Sequence, residues 1–165
     1  MTVAGPFELV PLQAADAEAL AALHRQVMSE PDAWSETGLL RLLKADAARG
    51  FQAHCDGAVA GYILAFAAAD EAEVLALCVA ARHRRKGLAR ALLRQLSRQL
   101  AAGAIISLHL EVRASNLAAR ELYSRNGFAE TGRRKAYYTG AGGAPAEDAI
   151  TMSTDLRPLQ ALISD

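Results

Sequence analysis

Apolar side chains recur along this chain with two different periods. Between residues 14 and 28 they return every three or four positions, which is typical of an amphipathic helix, and Asp16 is its expected N-cap. Pro31 is expected to end that helix. A second helical pattern begins at the capping residue Ser35, and Gly50 is its predicted end. The first third of the chain is therefore predicted to contain two helices.

Beyond residue 50 the period shortens to two, the spacing of a half-buried strand. The dipeptide Asp56-Gly57 separates two such runs and is a strong signal for a short hairpin turn. With a short first strand added, the pattern predicts strands at residues 8–10, 51–55, 59–66, 73–79, 105–112, 128–134 and 149–153. Two further helices are predicted at 88–101 and 115–125.

The order of these elements defines the fold class. Strands follow one another first, and the chain then alternates strand, helix, strand, helix, strand. This order predicts an α/β or α+β protein with a mixed sheet, partly parallel and partly antiparallel. Residues 74–110 form a βαβ crossover. A chain of 165 residues corresponds to one domain, so residues 1–165 are predicted to be a single domain, with a tail at 157–165 that frays.

Charge and cysteine content narrow the classes of function. The chain carries 18 basic and 18 acidic residues, and this neutral balance argues against a surface built to bind nucleic acid or an anionic membrane. Its two cysteines show no metal-binding spacing and no disulfide framework. No signal peptide and no apolar run of ~18 residues is found. We expect a cytoplasmic protein without metal, a monomer or weak dimer.

The densest positive charge lies in the turn at residues 82–87, Arg-His-Arg-Arg-Lys-Gly, between a predicted strand and helix. Such a turn aims free backbone N–H groups and the positive end of the helix dipole at one point, which suits phosphate. Gly87 lets the chain turn, and Ala89 leaves room for a ligand. The spacing is neither a dinucleotide fingerprint nor a Walker A loop. It favours a nucleotide-like cofactor, with a solvated basic loop or a nucleic-acid patch as alternatives.

One face of the predicted strand at 105–112 carries polar side chains, among them His109 and Glu111. A carboxylate near the C-terminal end of a strand, beside a βαβ crevice, lies where open α/β sheets bind ligands. Glu111 is thus a candidate base for taking a proton from an amine, and His109 is a second candidate. The simpler interpretation is a surface ion pair between Glu111 and Arg113 or Arg120.

The helix predicted at 115–125 supplies two more candidates. Asn116, near its start, either caps the helix or reaches a ligand. Tyr123 lies two turns further on, and its phenol, with a pKa near ~10, is able to give a proton to a departing thiolate. Core packing is the simpler role for Tyr123, and the spacing alone favours it.

Taken together, these blocks resemble the GNAT superfamily of N-acetyltransferases. The segment Leu77-Cys78-Val79 followed by Arg84-Arg85-Lys86-Gly87-Leu88-Ala89-Arg90 is similar to that family's acetyl-CoA motif, Gln/Arg-x-x-Gly-x-Gly/Ala. Other blocks resemble its RimI branch, namely Leu110-Glu111-Val112-Arg113-Ala114-Ser115-Asn116, Leu122-Tyr123-x-x-x-Gly127-Phe128, Arg133-Arg134-x-x-Tyr137-Tyr138 and Pro31-x-x-Trp34-Ser35-Glu36. The blocks occur in order over residues 8–155.

The resemblance implies a GNAT fold with a central βαβ unit that binds acetyl-CoA, and it assigns roles to residues. Glu111 matches the family's general base and Tyr123 its general acid. Asn116 would contact the cofactor. The backbone of Leu77, Cys78 and Val79 would hold the acetyl-pantetheine arm. The pyrophosphate cradle would comprise Arg84, Arg85, Lys86, Gly87, Leu88, Ala89 and Arg90.

The resemblance also implies the acceptor, which is the N-terminal α-amine of a protein. The branch's usual substrate is the N-terminal alanine of ribosomal protein bS18. Acetylation of lysine or a small amine, a non-catalytic acetyl-CoA-binding regulatory module, and a nucleic-acid module are the alternatives. His109 stands where the branch tends to have a large aromatic residue, and the glycine-rich loop at 139–146 is longer than usual. Both departures concern the choice of acceptor.

Overall fold

The computed structural model of this protein describes residues 2–4, 6–28, 33–138 and 145–164. All the predicted helices and strands are present within these ranges, and β1 and α5 are additional. In chain order the elements are β1 (Thr2–Ala4), β2 (Phe7–Pro11), α1 (Ala17–Val27), α2 (Glu36–Leu43), β3 (Ala48–Cys55), β4 (Ala58–Ala68), β5 (Glu71–Val79), α3 (Leu88–Ala102), β6 (Ser107–Arg113), α4 (Leu117–Ser124), β7 (Ala129–Tyr138), β8 (Glu147–Asp155) and α5 (Arg157–Ser164).

The described strands form one sheet in the order β1-β2-β3-β4-β5-β6-β8-β7. Neighbouring strands run antiparallel, except that β5 and β6 are parallel. Two parallel strands need a crossover connection, and here α3 provides it. The mixed sheet and the βαβ crossover predicted from the sequence are therefore confirmed.

Apolar side chains cover both faces of this sheet and form two cores. The first core contains the buried face of α3, and its leucines are Leu88, Leu92, Leu93, Leu96 and Leu100. The second core joins α1 and α2 to the opposite face, and includes Leu20, Leu39, Tyr62 and Cys78. Each fully buried leucine contributes about 2 kcal/mol. The start of α3, where the basic turn meets the helix, is thus held firmly against the sheet.

Local signals at turns and caps are mostly confirmed. Ser35 caps α2, because its hydroxyl oxygen accepts the Gly38 N–H at 3.1 Å. Asp56 and Gly57 make the β3–β4 turn with positive φ angles of 51° and 77°. Asp16 precedes α1 as predicted, but its carboxylate accepts the N–H of residue 13 and not an amide of the helix.

Gly50 does not end α2, and that prediction is wrong. The helix stops at Leu43, with Lys44 as its C-cap, and Gly50 lies inside β3. A Cβ atom at Gly50 would come within 2.3 Å of the Ile63 carbonyl oxygen on β4. Glycine is needed here because two backbones approach closely. A glycine that follows an apolar helical pattern looks the same in the sequence whichever role it has.

The segment after Leu156 forms α5, whereas the sequence led us to expect a frayed tail. Leu156 is 1% exposed, and Leu159 packs against the first core. The Gln160 side-chain amide donates to the Ile105 carbonyl at 3.0 Å, which ties the helix to the chain before β6. Pro31 and most of the loop at 139–146 lie outside the described residues. Among the helices described, none is long and apolar enough to cross a membrane.

Candidate active site

Strands β5 and β6 pair over only part of their length. The parallel register joins Glu71–Val74 to residues 107–110, whereas β5 continues to Val79 and β6 to Arg113. The two strands therefore separate at their C-terminal ends and leave a gap in the sheet. Open α/β sheets bind ligands at this edge, where neighbouring strands diverge.

A β-bulge in β5 lies at the point of separation. Val74 and Ala76 face consecutive residues of β4, which leaves Leu75 as the extra residue. In a regular strand, residues two positions apart share a face. Because of the extra residue, Val74 and Leu77 pack in the same core although they are three positions apart. Because a bulge bends its strand and increases the local twist, it accounts for the way β5 leaves β6.

The backbone of Leu77 and Val79 is turned toward this gap. The Ala80 N–H donates to the carbonyl of residue 60 on the β4 side at 2.9 Å, which makes these two residues a hydrogen-bonded pair. Hydrogen-bonded and non-hydrogen-bonded pairs alternate along an antiparallel ladder. Cys78 therefore directs its N–H and C=O groups to β4, whereas Leu77 and Val79 direct theirs toward the gap. The β5 side of the gap thus presents backbone N–H groups.

The basic turn connects this strand end to α3 in a strained conformation. The Arg84 Nε donates to the Val79 carbonyl at 3.2 Å and fixes the start of the turn. Arg85 has a φ of 59°, and Gly87, the N-cap of α3, has a φ of 81°. A Cβ atom at Gly87 would meet nothing within 4 Å, so the position opens to solvent. The first turn of α3 has neither a capping side chain nor an acidic residue.

The side chains around this helix start divide into two groups. Arg84, Arg85, Lys86 and Arg90 are exposed and leave their charges accessible to an anion. The Leu88 side chain is buried in the first core, and Ala89 is half-buried. Of the predicted phosphate cradle, Leu88 is therefore able to contribute only its backbone.

His83 is not part of the exposed cluster, although the sequence grouped it there. Its ring is 8% exposed and lies edge-on to Phe7, with ring centroids 5.7 Å apart. Burial lowers the pKa of His83, and the nearby charges of Arg82 and Lys86 lower it further. The imidazole acts as a packed neutral group and does not add positive charge to the turn.

Glu111 lies on the β6 side of the gap, one residue beyond the last pair with β5. Its neighbours Leu110 and Val112 are buried in the first core, so its carboxylate lies on the opposite face of the sheet. The side chain is 21% exposed. A carboxylate is thus accessible at the edge of the gap, across from the amides of β5.

The ion-pair partner of Glu111 is Arg134 on β7, whose Nη1 donates to a carboxylate oxygen at 2.7 Å. The two partners considered from the sequence, Arg113 and Arg120, both have other acidic partners in the structure. Arg113 pairs with Glu147, and Arg120 pairs with Glu130. Arg134 belongs to the Arg-Arg-x-x-Tyr-Tyr block, which carries the family resemblance, but sequence spacing gives no indication that it reaches across β8 to Glu111.

His109 points away from the gap. Its Nε2 lies 3.0 Å from the Ser107 hydroxyl and 3.7 Å from a carboxylate oxygen of Glu71. Both partners belong to the ends where β5 and β6 are paired. The structure therefore separates the two candidate bases and places only Glu111 beside the gap.

Asn116 is the N-cap of α4. Its side-chain oxygen accepts the Ala119 N–H at 3.1 Å, and the residue is exposed. The capping alternative from the sequence is confirmed, while its contact with a cofactor stays a prediction.

Tyr123 is buried on α4 in the first core, at 7% exposure. Its ring packs against Phe128, with centroids 5.6 Å apart. Burial raises the pKa of Tyr123 well above its ordinary value, and the nearby Cys78 thiol raises it further. The phenol therefore keeps its proton throughout the neutral range.

Cys78 is fully buried, as the apolar strand predicted. Its sulfur lies 3.5 Å from the His24 Nδ1, and the same nitrogen shares a hydrogen bond with the Tyr62 hydroxyl. Burial raises the pKa of the Cys78 thiol to about 11. The thiol is thus a packed neutral group. Because the backbone groups of Cys78 are directed to β4, the prediction that they face the ligand is wrong, and Leu77 and Val79 keep that predicted role. Trp34 stacks on His24 at 4.9 Å, which extends this cluster to the segment before α2.

Across the ranges that the structure describes, no three His, Cys, Asp or Glu side chains come together in a group able to hold a metal ion. The polar groups at the gap are instead backbone amides, a carboxylate and exposed basic side chains. Such a set suits an anionic, phosphate-bearing ligand and a proton transfer.

Comparison with known proteins identifies the family. The sequence profile described as the Acetyltransferase (GNAT) family matches residues 18–128 of this chain. This match spans well over half of the sequence and includes the gap, the basic turn and α4. The chain belongs to the GNAT family of acetyltransferases.

Individual relatives agree with that assignment. The chain is 32% identical to "N-alpha-acetyltransferase RimI" of Mycobacterium tuberculosis over 154 residues, covering 91% of this chain and 93% of the relative. It is 40% identical to the "[Ribosomal protein bS18]-alanine N-acetyltransferase" of Escherichia coli K12 over 103 residues, which is 62% of this chain and 68% of the relative. The crystal structure of the E. coli ribosomal-protein-S18-alanine N-acetyltransferase superposes with a TM-score of 0.83 at 31% identity, covering 91% of this chain and 94% of that one.

Proposed function

We propose that this protein transfers the acetyl group of acetyl-CoA to the N-terminal α-amine of a protein, with the N-terminal alanine of ribosomal protein bS18 as its substrate. The observation that carries the proposal is the gap between β5 and β6, with backbone amides on one side and the Glu111 carboxylate on the other. The names of the relatives support the acceptor. Such a substrate is made in the cytoplasm, where we place the activity.

The residues at the gap fit acetyl-CoA. The uncapped start of α3 offers free amides to a pyrophosphate, and Gly87 leaves open space beside them. Arg84, Arg85 and Lys86 surround that point with positive charge. Leu77 and Val79 would hold the acetyl-pantetheine arm through their backbone groups, and Asn116 would contact the cofactor from α4. When bound, acetyl-CoA supplies the acetyl group as an activated thioester.

The side chains at the gap divide the proton transfers between them. An α-ammonium has a pKa of about 8, so Glu111 has one proton to remove before the amine nitrogen attacks the thioester carbonyl carbon. The amides of Leu77 and Val79 stabilise the negative charge that grows on the carbonyl oxygen. As the carbon–sulfur bond breaks, Tyr123 gives its hydroxyl proton to the leaving sulfur. The acetylated nitrogen loses its second proton, which restores the Tyr123 hydroxyl, and Glu111 releases the first proton to solvent.

The acceptor is tested with two peptides. The protein is incubated with acetyl-CoA and a peptide from the bS18 N-terminus that starts with alanine, beside a copy whose N-terminus is blocked, and mass spectrometry locates any acetyl group. We expect acetylation of the free N-terminus only. Acetyl on a lysine of the blocked copy would identify a lysine acetyltransferase. Binding of acetyl-CoA without any transfer would identify a non-catalytic module.

The base is tested with Glu111→Gln, a substitution that keeps the shape of the side chain. We expect turnover to fall about a hundredfold, most strongly at pH values below the amine pKa, because loss of a general base costs 10² or more. Acetyl-CoA affinity should be unchanged, since the cofactor residues remain. An unchanged rate would remove Glu111 from this role and make His109→Gln the next variant to measure.

A further inference from the structure

The Glu111 carboxylate is already engaged by a cation in the free protein. Arg134 Nη1 lies 2.7 Å from its oxygen, a charge-assisted hydrogen bond of normal length. Glu111 is 21% exposed and Arg134 is 53% exposed. The carboxylate is therefore held largely out of solvent with its charge compensated, while the arginine side chain can move into solvent.

The proposed acceptor brings a second cation to the same oxygen atoms. An N-terminal amine with a pKa near ~8 arrives mostly as an ammonium at neutral pH. Two cations beside one carboxylate repel each other, and a guanidinium bound to the carboxylate occupies an oxygen that the ammonium would approach. Productive binding of the acceptor thus requires that Arg134 release Glu111.

Arg134 has a second partner besides Glu111. Its guanidinium carbon lies 3.8 Å from the ring centroid of Tyr137, and a cation over a tyrosine ring is stabilised without a carboxylate. The β7–β8 register is irregular between Arg134 and Tyr138, and Ala136 has a positive φ of 51°, so the two side chains share a locally distorted strand. Arg134 is able to keep the Tyr137 contact when it leaves Glu111.

We propose that Arg134 is an exchangeable counter-ion of Glu111, which keeps the carboxylate compensated in the free protein and yields it to the ammonium group of the acceptor. Arg134 is a positioning residue that acts through Glu111. The role rests on the proposed function, because it requires Glu111 to receive the acceptor amine. In this role the acceptor amine must be charged in order to bind, because as a cation it competes with Arg134 for the Glu111 carboxylate.

The test measures peptide affinity by calorimetry in the presence of CoA without its acetyl group, so that no transfer occurs. The probes are the alanine-starting bS18 peptide and its N-terminally acetylated copy. In Arg134→Gln, the free-amine peptide should bind about three- to tenfold more tightly, because its competitor is gone. The acetylated peptide should bind as it does to the wild type. Arg134→Lys keeps the competing charge and should restore the wild-type affinity.

Arg133→Gln is the matched control. Arg133 is the preceding residue on β7, is 50% exposed and pairs with Asp148, so this variant removes the same charge without touching Glu111. The ratio of the affinities of Arg133→Gln for the free-amine and acetylated peptides should match that of the wild type. In a Glu111→Gln background, Arg134→Gln should have no effect on the free-amine peptide, because the shared carboxylate is absent.

Three results would overturn the counter-ion role. They are weaker or unchanged binding of the free-amine peptide to Arg134→Gln, an equal change for both peptides, or the same gain in Arg133→Gln. If the wild type acetylates the peptide and one of these results is found, only the counter-ion role fails. If the wild type neither binds nor acetylates the peptide, the proposed function fails, and the role of Arg134 fails with it.

Discussion

Two glycines of this protein share a backbone conformation but lie at different places. Gly87, at the start of α3, has a φ of 81°, and Gly57, in the β3–β4 hairpin, has a φ of 77°. A Cβ atom at either position would meet nothing within 4 Å. The cost of an alanine is therefore conformational at both sites, and only Gly87 faces the proposed pyrophosphate position.

We expect Gly87→Ala and Gly57→Ala each to lower the free energy of unfolding by about 1 kcal/mol, because an L-residue is strained at positive φ. Only Gly87→Ala should weaken acetyl-CoA binding, by about tenfold, since its methyl group enters the space where phosphate approaches. Denaturant titration and calorimetry measure the two effects. Equal acetyl-CoA affinities in the two variants would place the pyrophosphate elsewhere.

Tyr123 combines a packing role with a proposed chemical role, and one substitution separates them. Tyr123→Phe keeps the ring against Phe128 and removes the hydroxyl group. We expect the melting temperature to change little and kcat to fall about a hundredfold. Because burial raises the pKa of Tyr123, its proton is present at every pH from 6 to about 10, and the fall in kcat should be the same across that range.

A pH-rate profile of the wild type and of Tyr123→Phe checks this expectation. A rate loss that disappears above pH ~8 would mean that Tyr123 ionises there, which its burial opposes. An unchanged kcat would leave the residue with its packing role only.

At the scale of elements, the four central strands differ in how closely they approach one another. The bulge at Leu75 separates β5 from β6, while β3 and β4 remain close enough that a Cβ at Gly50 would lie 2.3 Å from the Ile63 carbonyl oxygen. We expect Gly50→Ala to lower the free energy of unfolding by about 2 kcal/mol, because backbone must move to admit the methyl group.

Gly103→Ala is the matched control for Gly50→Ala. Gly103 caps α3 with a φ of −88°, and a Cβ there would lie 3.4 Å from its nearest neighbour, the Leu100 carbonyl oxygen, which is an ordinary contact. The free energy of unfolding of Gly103→Ala should stay within about 0.5 kcal/mol of the wild-type value. Similar losses in the two variants would show that the β3–β4 contact is not the cause.

At the scale of the whole molecule, the buried Cys78 thiol of the second core makes the free energy of unfolding depend on pH in the alkaline range. Burial raises the pKa of the Cys78 thiol from its ordinary value of 9.0 to about 11. In the unfolded chain the thiol ionises near pH 9, whereas in the folded protein it stays neutral. The stabilisation is complete below pH 9 and is lost as the pH rises toward 11. Two pKa units correspond to roughly 2 to 3 kcal/mol.

Urea unfolding between pH 8 and 11 measures this loss. Cys78→Val removes the titrating group and adds roughly one methyl group of volume, a change whose cost does not depend on pH. Tyr62 and Tyr123 also have raised pKa values, to which Cys78 contributes, so the difference between the two curves reports Cys78 together with its effect on these two phenols. We expect the variant to lose less stability than the wild type over pH 9 to 11. Parallel curves would show that the thiol is not buried in its neutral form.

The sequence by itself determined most of the helices and strands, the βαβ unit and the basic turn, because these depend on local periodicity and on residues such as Gly87 that fix the backbone nearby. It also brought Glu111, Asn116 and Tyr123 forward as candidates, since each lies at a recognisable place on its strand or helix.

Only the tertiary structure decided which of these groups meet. It placed Glu111 at the gap, turned His109 away, removed His83 from the basic cluster and brought Arg134 to Glu111. Each outcome depends on how strands distant in sequence are paired and bulged. Local propensity does not encode that pairing, because a side chain's partner across a sheet is set by register, and one extra residue such as Leu75 changes which face the following residues occupy.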